Sequence, residues 1–214
     1  MPGPLRRRAT RAVARFDSAV ERRVDRVRGN PHLDRVMYAA SALGDFSLIW
    51  HLVSATRALA PDRRPEHAVR VAAVLAVESA LVNGPVKNLF RRHRPAWEQE
   101  RPRRLRRPRT TSFPSGHASA AMTAAGVLAE RDPLWPLYYA LGAVVASSRV
   151  YVKIHHPSDV VAGALLGVAI ARVARRVWPL PEVDRARRRS WTPRHVADRR
   201  GRECGARRGR SRGR

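Results

Sequence analysis

The stretch SRVYVKIHHPSD, Ser148–Asp159, closes one long apolar segment of the chain and opens the next. It carries an arginine, a histidine six residues on and an aspartate four residues past that. Pro157 and Ser158 read as the start of the helix that carries Asp159, since proline is tolerated in a first helical turn. Working outward, KNLFRRHRP (Lys87–Pro95) closes another apolar segment, and PSGH (Pro114–His117) opens one at a probable helix start. The three stretches together hold three cations, two histidines, one orienting carboxylate and one helix N-terminus. That is the inventory needed to hold a phosphate and attack it through histidine without a metal.

Apolar segments run over residues 33–60, 66–89, 115–130, 134–152 and 158–178. A spanning helix needs about 20 mostly apolar residues, and four of the five meet this. The segment 115–130 is shorter but dense in alanine and glycine, which suits close helix packing inside a bundle. The expected fold is therefore all-α, a multi-span transmembrane helix bundle of about five spans. Trp50, Trp135, Tyr138, Tyr139 and Trp178 lie near segment ends, as interfacial aromatics do. If the segments alternate in direction, Lys87 and Arg94 end the second, Ser115 opens the third, Arg149 ends the fourth and Asp159 opens the fifth. An end, a start, an end and a start all fall on one face, where charge is least costly. A chance scatter of basic residues would not obey that parity.

Residues 5–28 place Ala9, Val13, Phe16, Val20, Val24 and Val27 at helical spacing among arginines. This predicts a basic amphipathic helix lying on the membrane surface, ended at Gly29-Asn30-Pro31. The chain divides into a basic N-terminal segment (1–32), a membrane catalytic domain (33–179) and an arginine-rich tail (180–214), which reads as disordered. The loop 91–113 is arginine-rich and broken by Trp97, Pro102 and Pro108; its arginines, Arg91 and Arg92 included, read as contacts to anionic lipid. Asp45 and Glu78, inside apolar segments, read as paired structural charges.

The net charge of +26 raises nucleic acid or an anionic membrane as partner. Mean hydropathy, −0.41, averages basic ends with apolar segments and misleads when taken alone. A basic protein binding nucleic acid accounts for the arginines but not for the parity, so nucleic acid is the weaker partner. Cys204 is the single cysteine, which excludes an intrachain disulfide and a cysteine metal site. No apolar stretch precedes a small-residue cleavage site near the N-terminus, so no cleavable signal peptide is expected.

The pattern Lys87-x6-Arg94-Pro95, Pro114-Ser115-Gly116-His117 and Ser148-Arg149-x5-His155-x3-Asp159 resembles that of the type 2 phosphatidic acid phosphatase (PAP2) superfamily, and all eleven specified positions match in order. The superfamily includes membrane lipid phosphatases, commonly of six core helices, soluble vanadium haloperoxidases and glucose-6-phosphatase-like enzymes. The apolar segments resemble the membrane branch, with the N-terminal helix standing in for a sixth.

The resemblance implies His155 as nucleophile, oriented by a hydrogen bond to Asp159, and His117 as the acid that protonates the leaving oxygen and then activates water. Lys87, Arg94, Arg149, Ser115 and the backbone at Gly116 would bind the phosphoryl oxygens; His156 points elsewhere. It implies no metal and no cofactor. The implied substrate is a lipid phosphate or diphosphate: phosphatidic acid, phosphatidylglycerol phosphate, a polyprenyl diphosphate or a prenyl-linked sugar phosphate. A vanadate-dependent haloperoxidase, which uses the same anion site, is the alternative. The implied location is the cell membrane, multi-pass, and basic residues in 1–36 and 87–113 lean the active-site face towards the cytoplasm.

Overall fold

A computed structural model describes residues 4–59, 65–96, 103, 105 and 110–180. Trp97, Pro102, Pro108, most arginines of that loop, Cys204 and the tail beyond Leu180 lie outside the described residues. Among those described, the chain is helical and has no strand. The helices are α1 (Pro4–Asp25), α2 (Pro31–Leu43), α3 (Leu48–Leu59), α4 (Pro65–Leu81), α5 (Gly116–Leu128), α6 (Trp135–Tyr151) and α7 (Pro157–Val177).

Helix α5 is the axis. Its residues from Ala118 to Ala121 and from Thr123 to Leu128 are buried, and α4, α6 and α7 pack around it. Its small residues let neighbours come close. A Cβ on Gly163 of α7 would lie 2.3 Å from the Ser115 carbonyl oxygen, and one on Gly167 would lie 2.2 Å from that of Ser119. The Thr123 hydroxyl donates across the same seam to the Gly167 carbonyl, at 3.2 Å. The two helices thus meet backbone to backbone through a small-xxx-small pair.

The first apolar segment is not one straight span. It breaks at Gly44 into α2 and α3, which are bent by 74°, with a short 3-10 turn at Asp45–Ser47 between them. Phe46 and Ser47 have φ of 53° and 58°, a region non-glycine residues enter at a cost of about 1–3 kcal/mol. The second segment reads as expected: Pro65–Val86 is 22 residues, long and apolar enough to cross a membrane. By length and composition that helix qualifies alone and the bent pair qualifies jointly; α5, with 13 residues, reaches only about 20 Å and is enclosed by its neighbours. The outward faces stay apolar: Leu52, Val69, Val77, Leu137, Leu165 and Val173 are all exposed.

The N-terminal helix departs from a purely surface-lying one. Val13 and Phe16 are exposed, but Asp17 is turned inward and is 5% exposed. Asp17 and Glu21 bond to α7 and its lead-in, and the Arg28 guanidinium donates to the Val150 and Tyr151 carbonyls at 2.9 and 2.7 Å. Gly29, with φ of 85°, makes the turn, and Asn30 caps α2 by accepting from the His32 and Leu33 N–H groups. At the end of the bundle remote from the catalytic stretches, Arg70 pairs with Glu130 at 2.6 Å and Arg57 with Asp132 at 2.9 Å.

A Gly→Ala change inside a helix ordinarily stabilises it by about 1 kcal/mol. At Gly167 the overlap with the Ser119 carbonyl overrides this, and Gly167→Ala is expected to destabilise by about 1–3 kcal/mol. Thermal unfolding in detergent checks it; an unchanged or raised midpoint would mean that α5 and α7 separate at no cost.

Candidate active site

The geometry starts at the C-terminus of α6. Lys153 takes φ of 52°, which turns the chain back, and the Arg149 carbonyl accepts both the Ile154 and His155 N–H groups at 3.1 Å. The five-residue spacing from Arg149 to His155 is thus a helix terminus folding back over its last turn. Then α7 begins, with Pro157 in its first turn and Asp159 at the third helical position. The Ser115 N–H donates to the Asp159 carbonyl at 3.0 Å, which joins the PSGH stretch to the third stretch directly.

A cavity of about 740 Å³ opens where the stretches meet. Lys87, Arg94, Gly116, His117 and His155 line it, five of the eight residues singled out from sequence. Lys87 Nζ donates to Asn83 Oδ1 at 2.8 Å and to Thr110 Oγ1 at 3.3 Å. A π-helical turn at Val82–Val86, carrying Pro85, ends α4 just before Lys87 and sets Asn83 one turn behind it. The Arg94 guanidinium is pinned by the Thr110, Thr111 and Ile154 carbonyls, at 3.0–3.2 Å. A Cβ on Gly116 would lie 3.3 Å from Asn83 Oδ1 and 3.6 Å from Lys87 Nζ, so glycine leaves the helix start open beside the lysine.

His155 is 2% exposed, and Arg94 Nη1 lies 3.2 Å from its Nε2. Since guanidinium can only donate, Nε2 is the acceptor and carries the free electron pair. Burial first, and then the nearby charges of Arg94 and Arg149, push this imidazole down to about 3, against the pull of Asp159. It is neutral at ordinary pH.

Ser115, Arg149 and Asp159 stand behind the lining. Ser115 is fully buried and caps α5, its hydroxyl accepting from the Ala118 N–H at 3.4 Å, so it holds the helix start and does not present an oxygen to the cavity. Arg149 donates to the Ser41 hydroxyl and, at 3.4 Å, to the Ser41 carbonyl. The expected hydrogen bond from His155 to Asp159 is not made: Nδ1 and Oδ2 are 3.8 Å apart. The physical reason is that Asp159 is already filled. Its Oδ2 accepts from the Ser112 hydroxyl at 2.5 Å and the His156 N–H at 3.0 Å, and its Oδ1 from Arg92 at 2.5 Å.

Three residues change their reading. Arg92 is not a lipid anchor; it bridges Asp159, Ser158 and Asp17. Asp45 is paired, as expected, but with a residue of the cavity: its Oδ1 lies 2.9 Å from His117 Nε2, presented by the strained turn between α2 and α3. Glu78 lines the cavity, 2% exposed, where the charge of Lys87 acts on it, and its Oε1 has no hydrogen-bond partner among the described residues. The sequence signals were a glycine-aspartate pair inside an apolar run for Asp45 and the helix-breaking Asn83-Gly84-Pro85 for Asn83; Arg92 sits among other arginines with nothing to mark it. His156 does point away, to Glu21 Oε1 at 3.2 Å.

The cavity thus gathers a lysine, an arginine and two histidines, one of them neutral. The family model of the PAP2 superfamily matches residues 67–180. The chain belongs to the PAP2 superfamily and is a phosphatase. It is 33% identical over 143 residues to decaprenylphosphoryl-5-phosphoribose phosphatase of Mycobacterium tuberculosis (strain ATCC 25618 / H37Rv), across 64% of this chain and 76% of that protein. It is 35% identical over 103 residues to undecaprenyl-diphosphatase of Sulfolobus acidocaldarius, across 46% of this chain and 50% of that one. Among solved structures it resembles Aquifex aeolicus LpxE, with a TM-score of 0.60 and 25% identity over 74% of this chain and 93% of that chain. It also shares the fold of the transmembrane PAP2 type phosphatidylglycerolphosphate phosphatase of Bacillus subtilis, with a TM-score of 0.60 over 78% of this chain and 86% of that one, at 24% identity.

Two outcomes test this geometry. Because the folded His155 stays neutral while an unfolded histidine takes up a proton near its ordinary value of about 6.5, the residue's contribution to stability is full above that pH. It is lost progressively as pH falls from about 6.5 towards about 3. Nitrogen NMR of labelled histidine at pH 5 is expected to show His155 neutral with its proton on Nδ1; a charged ring would overturn the assignment. A Cβ on Gly44 would meet His117 Cδ2 at 2.8 Å and Val145 Cγ1 at 3.0 Å. Gly44→Ala is therefore expected to lower kcat by about tenfold or more through displacement of His117, and wild-type turnover would mean that the ring tolerates the shift.

Proposed function

We propose that this protein is an integral membrane phosphatase that hydrolyses the phosphate monoester of a prenyl-linked sugar phosphate through a phosphohistidine intermediate. The observation that carries the reading is the lining of the cavity. Lys87, Arg94 and His155 suit a phosphoryl group, and Asp45, Glu78, Ser79 and Asn83 in the same lining suit hydroxyls. A diacylglycerol leaving group would bring apolar surface against those carboxylates, whereas a sugar offers donors to them. The similarity to a decaprenylphosphoryl-5-phosphoribose phosphatase over three quarters of its length supports the same class.

The neutral Nε2 of His155 attacks phosphorus in line with the ester oxygen. Lys87 and Arg94 bind the equatorial oxygens, with the α5 N-terminus at Gly116 adding its dipole and Arg149 its charge from behind. The phosphoryl oxygens take over the donor that Arg94 now gives to Nε2. Asp45 accepts the Nε2–H of His117, and the ring, doubly protonated in the substrate complex, gives its Nδ1 proton to the leaving oxygen as the P–O bond breaks. The released sugar hydroxyl leaves, and His117 then takes a proton from water as that water attacks the phosphohistidine, freeing inorganic phosphate and His155. The protein's cations supply the charge neutralisation, so the reaction runs without a metal. Asp159 holds the loop before α7 and favours positive charge on His155 at 3.8 Å.

The apolar outward faces support insertion in several passes, in the cell membrane. Exposed Val13, Phe16 and the arginines of α1 support contact with anionic lipid at the active-site face, and the basic residues there favour the cytoplasmic side.

Phosphate release in detergent micelles containing EDTA is the test, with phosphatidic acid, phosphatidylglycerol phosphate, a polyprenyl diphosphate and a prenyl-linked sugar phosphate as substrates. Release is expected to persist in EDTA, to favour the sugar phosphate and to fall by about a thousandfold or more in His155→Ala. Near-wild-type rates in that variant would remove His155 as nucleophile. Glu78→Gln is expected to lower kcat/KM for the sugar phosphate about tenfold relative to phosphatidic acid. Equal losses on both substrates would mean that Glu78 does not read hydroxyls.

A further inference from the structure

The catalytic aspartate is held by a helix that lies outside the stretch matched by the family. Asp17 of α1 is buried, and its carboxylate makes three hydrogen bonds. Its Oδ1 accepts the Ser158 N–H at 2.8 Å, and its Oδ2 accepts the Ser158 hydroxyl at 2.9 Å and Arg92 Nη2 at 2.7 Å. Arg92 then turns its other nitrogen to Asp159 Oδ1 at 2.5 Å and to the Ser158 hydroxyl at 2.7 Å. Asp17 therefore does two things at once. It caps α7 from a different helix, using an N–H group that the helix itself leaves unpaired and placing negative charge at the positive end of the dipole. It also fixes the far end of the guanidinium that neutralises Asp159.

Arg92 is the one of the three with access to water, its side chain 30% exposed against 6% for Asp17 and none for Asp159. Without Asp17 the guanidinium has a solvent alternative to Asp159. A fully buried carboxylate would then lose its ionic partner, which is unfavourable unless the group moves or neutralises. Either response alters the charge facing His155 Nδ1.

We propose that Asp17 is a positioning residue for the phosphatase reaction: through Arg92 and Ser158 it holds Asp159 in the ionised, inward-facing state that the attack by His155 uses. The N-terminal helix is in this sense part of the catalytic centre. The proposal rests on the reading of His155 as nucleophile given above. Glu21, one turn further along α1, bonds His156 and so reports on docking of the helix without touching Asp17, Arg92 or Asp159.

The experiment measures phosphate release by the full chain in micelles, with rates normalised to orthovanadate-binding sites so that only folded enzyme counts. Asp17→Asn, which keeps the shape and removes the charge, is expected to lower kcat about tenfold or more while KM and the vanadate inhibition constant stay within about threefold. Glu21→Gln is expected to keep kcat within about twofold, since a half-exposed pair contributes little. In an Asp159→Asn background, Asp17→Asn is expected to change kcat by less than about twofold, the non-additivity of residues acting as a unit.

Wild-type kcat in Asp17→Asn would overturn the proposal. So would an equal loss in Glu21→Gln, which would make the effect one of helix docking, or a full additive loss in the Asp159→Asn background. A loss seen only in KM and vanadate affinity would place Asp17 in phosphate binding and would overturn it also. Failure of the nucleophile reading shows separately, as activity retained in His155→Ala whatever Asp17 does.

Discussion

The bundle depends on the closeness of α5 and α7. Gly163 and Gly167 let the α7 backbone rest against the carbonyls of Ser115 and Ser119, closer than any side chain would allow. That contact sets the N-terminus of α5 beside the first turn of α7, where the Ser115 N–H meets the Asp159 carbonyl. The start of α5 at the cavity and the aspartate behind His155 are thereby one rigid unit. Packing at this density is unforgiving to added volume, and a catalytic centre needs that property more than a lipid-facing surface does.

Around the unit the cations are held by neutral groups. Arg94 rests on three carbonyls, Lys87 on an amide and a hydroxyl, and Arg149 on Ser41. Neutral hydrogen-bond partners fix a cation without cancelling its charge, which suits the proposed role of these residues in binding a phosphoryl group. Other carboxylates have other partners: Asp45 meets His117, and Asp159 and Asp17 meet Arg92. The division of partners separates the charges meant for substrate from those meant for architecture. It also explains why Arg92 and Arg94, two residues apart on one loop, have different tasks.

How far the sequence was readable follows the range of each interaction. Local spacing carried the helix starts at PSGH and at Pro157, because each is a helix-terminus signal written within a few residues. Helix parity put the three stretches at one end of the bundle, and the cavity lined by Lys87, Arg94, Gly116, His117 and His155 lies where they meet. What escaped were partnerships across elements. Asp45 meets His117 only because α2 and α3 bend at Gly44, and an apolar run of ordinary length gives no measure of that bend. Arg92 was indistinguishable from its neighbours until Asp17 was brought beside it by the docking of α1. The missing His155–Asp159 hydrogen bond likewise reflects competition from Ser112 and the His156 N–H, one of them distant in sequence.

The bend at Gly44 also shows where strain is stored. Two consecutive non-glycine residues, Phe46 and Ser47, hold positive φ, and the cost is met next to the cavity and nowhere near the packed α5–α7 seam. A straight helix through this point would carry Asp45 past His117 and close the side of the cavity that Asp45 and Ser47 now line. Breaking the helix there lets polar backbone line a cavity, the setting in which irregular structure is tolerated at membrane depth. The same logic applies to the π-helical turn before Lys87. Both departures from regular helix bring a polar group to the pocket, Asp45 in one case and Asn83 in the other. The two irregularities and the two glycine contacts divide the work, since the contacts hold the helix starts together and the breaks bring polar groups to the cavity.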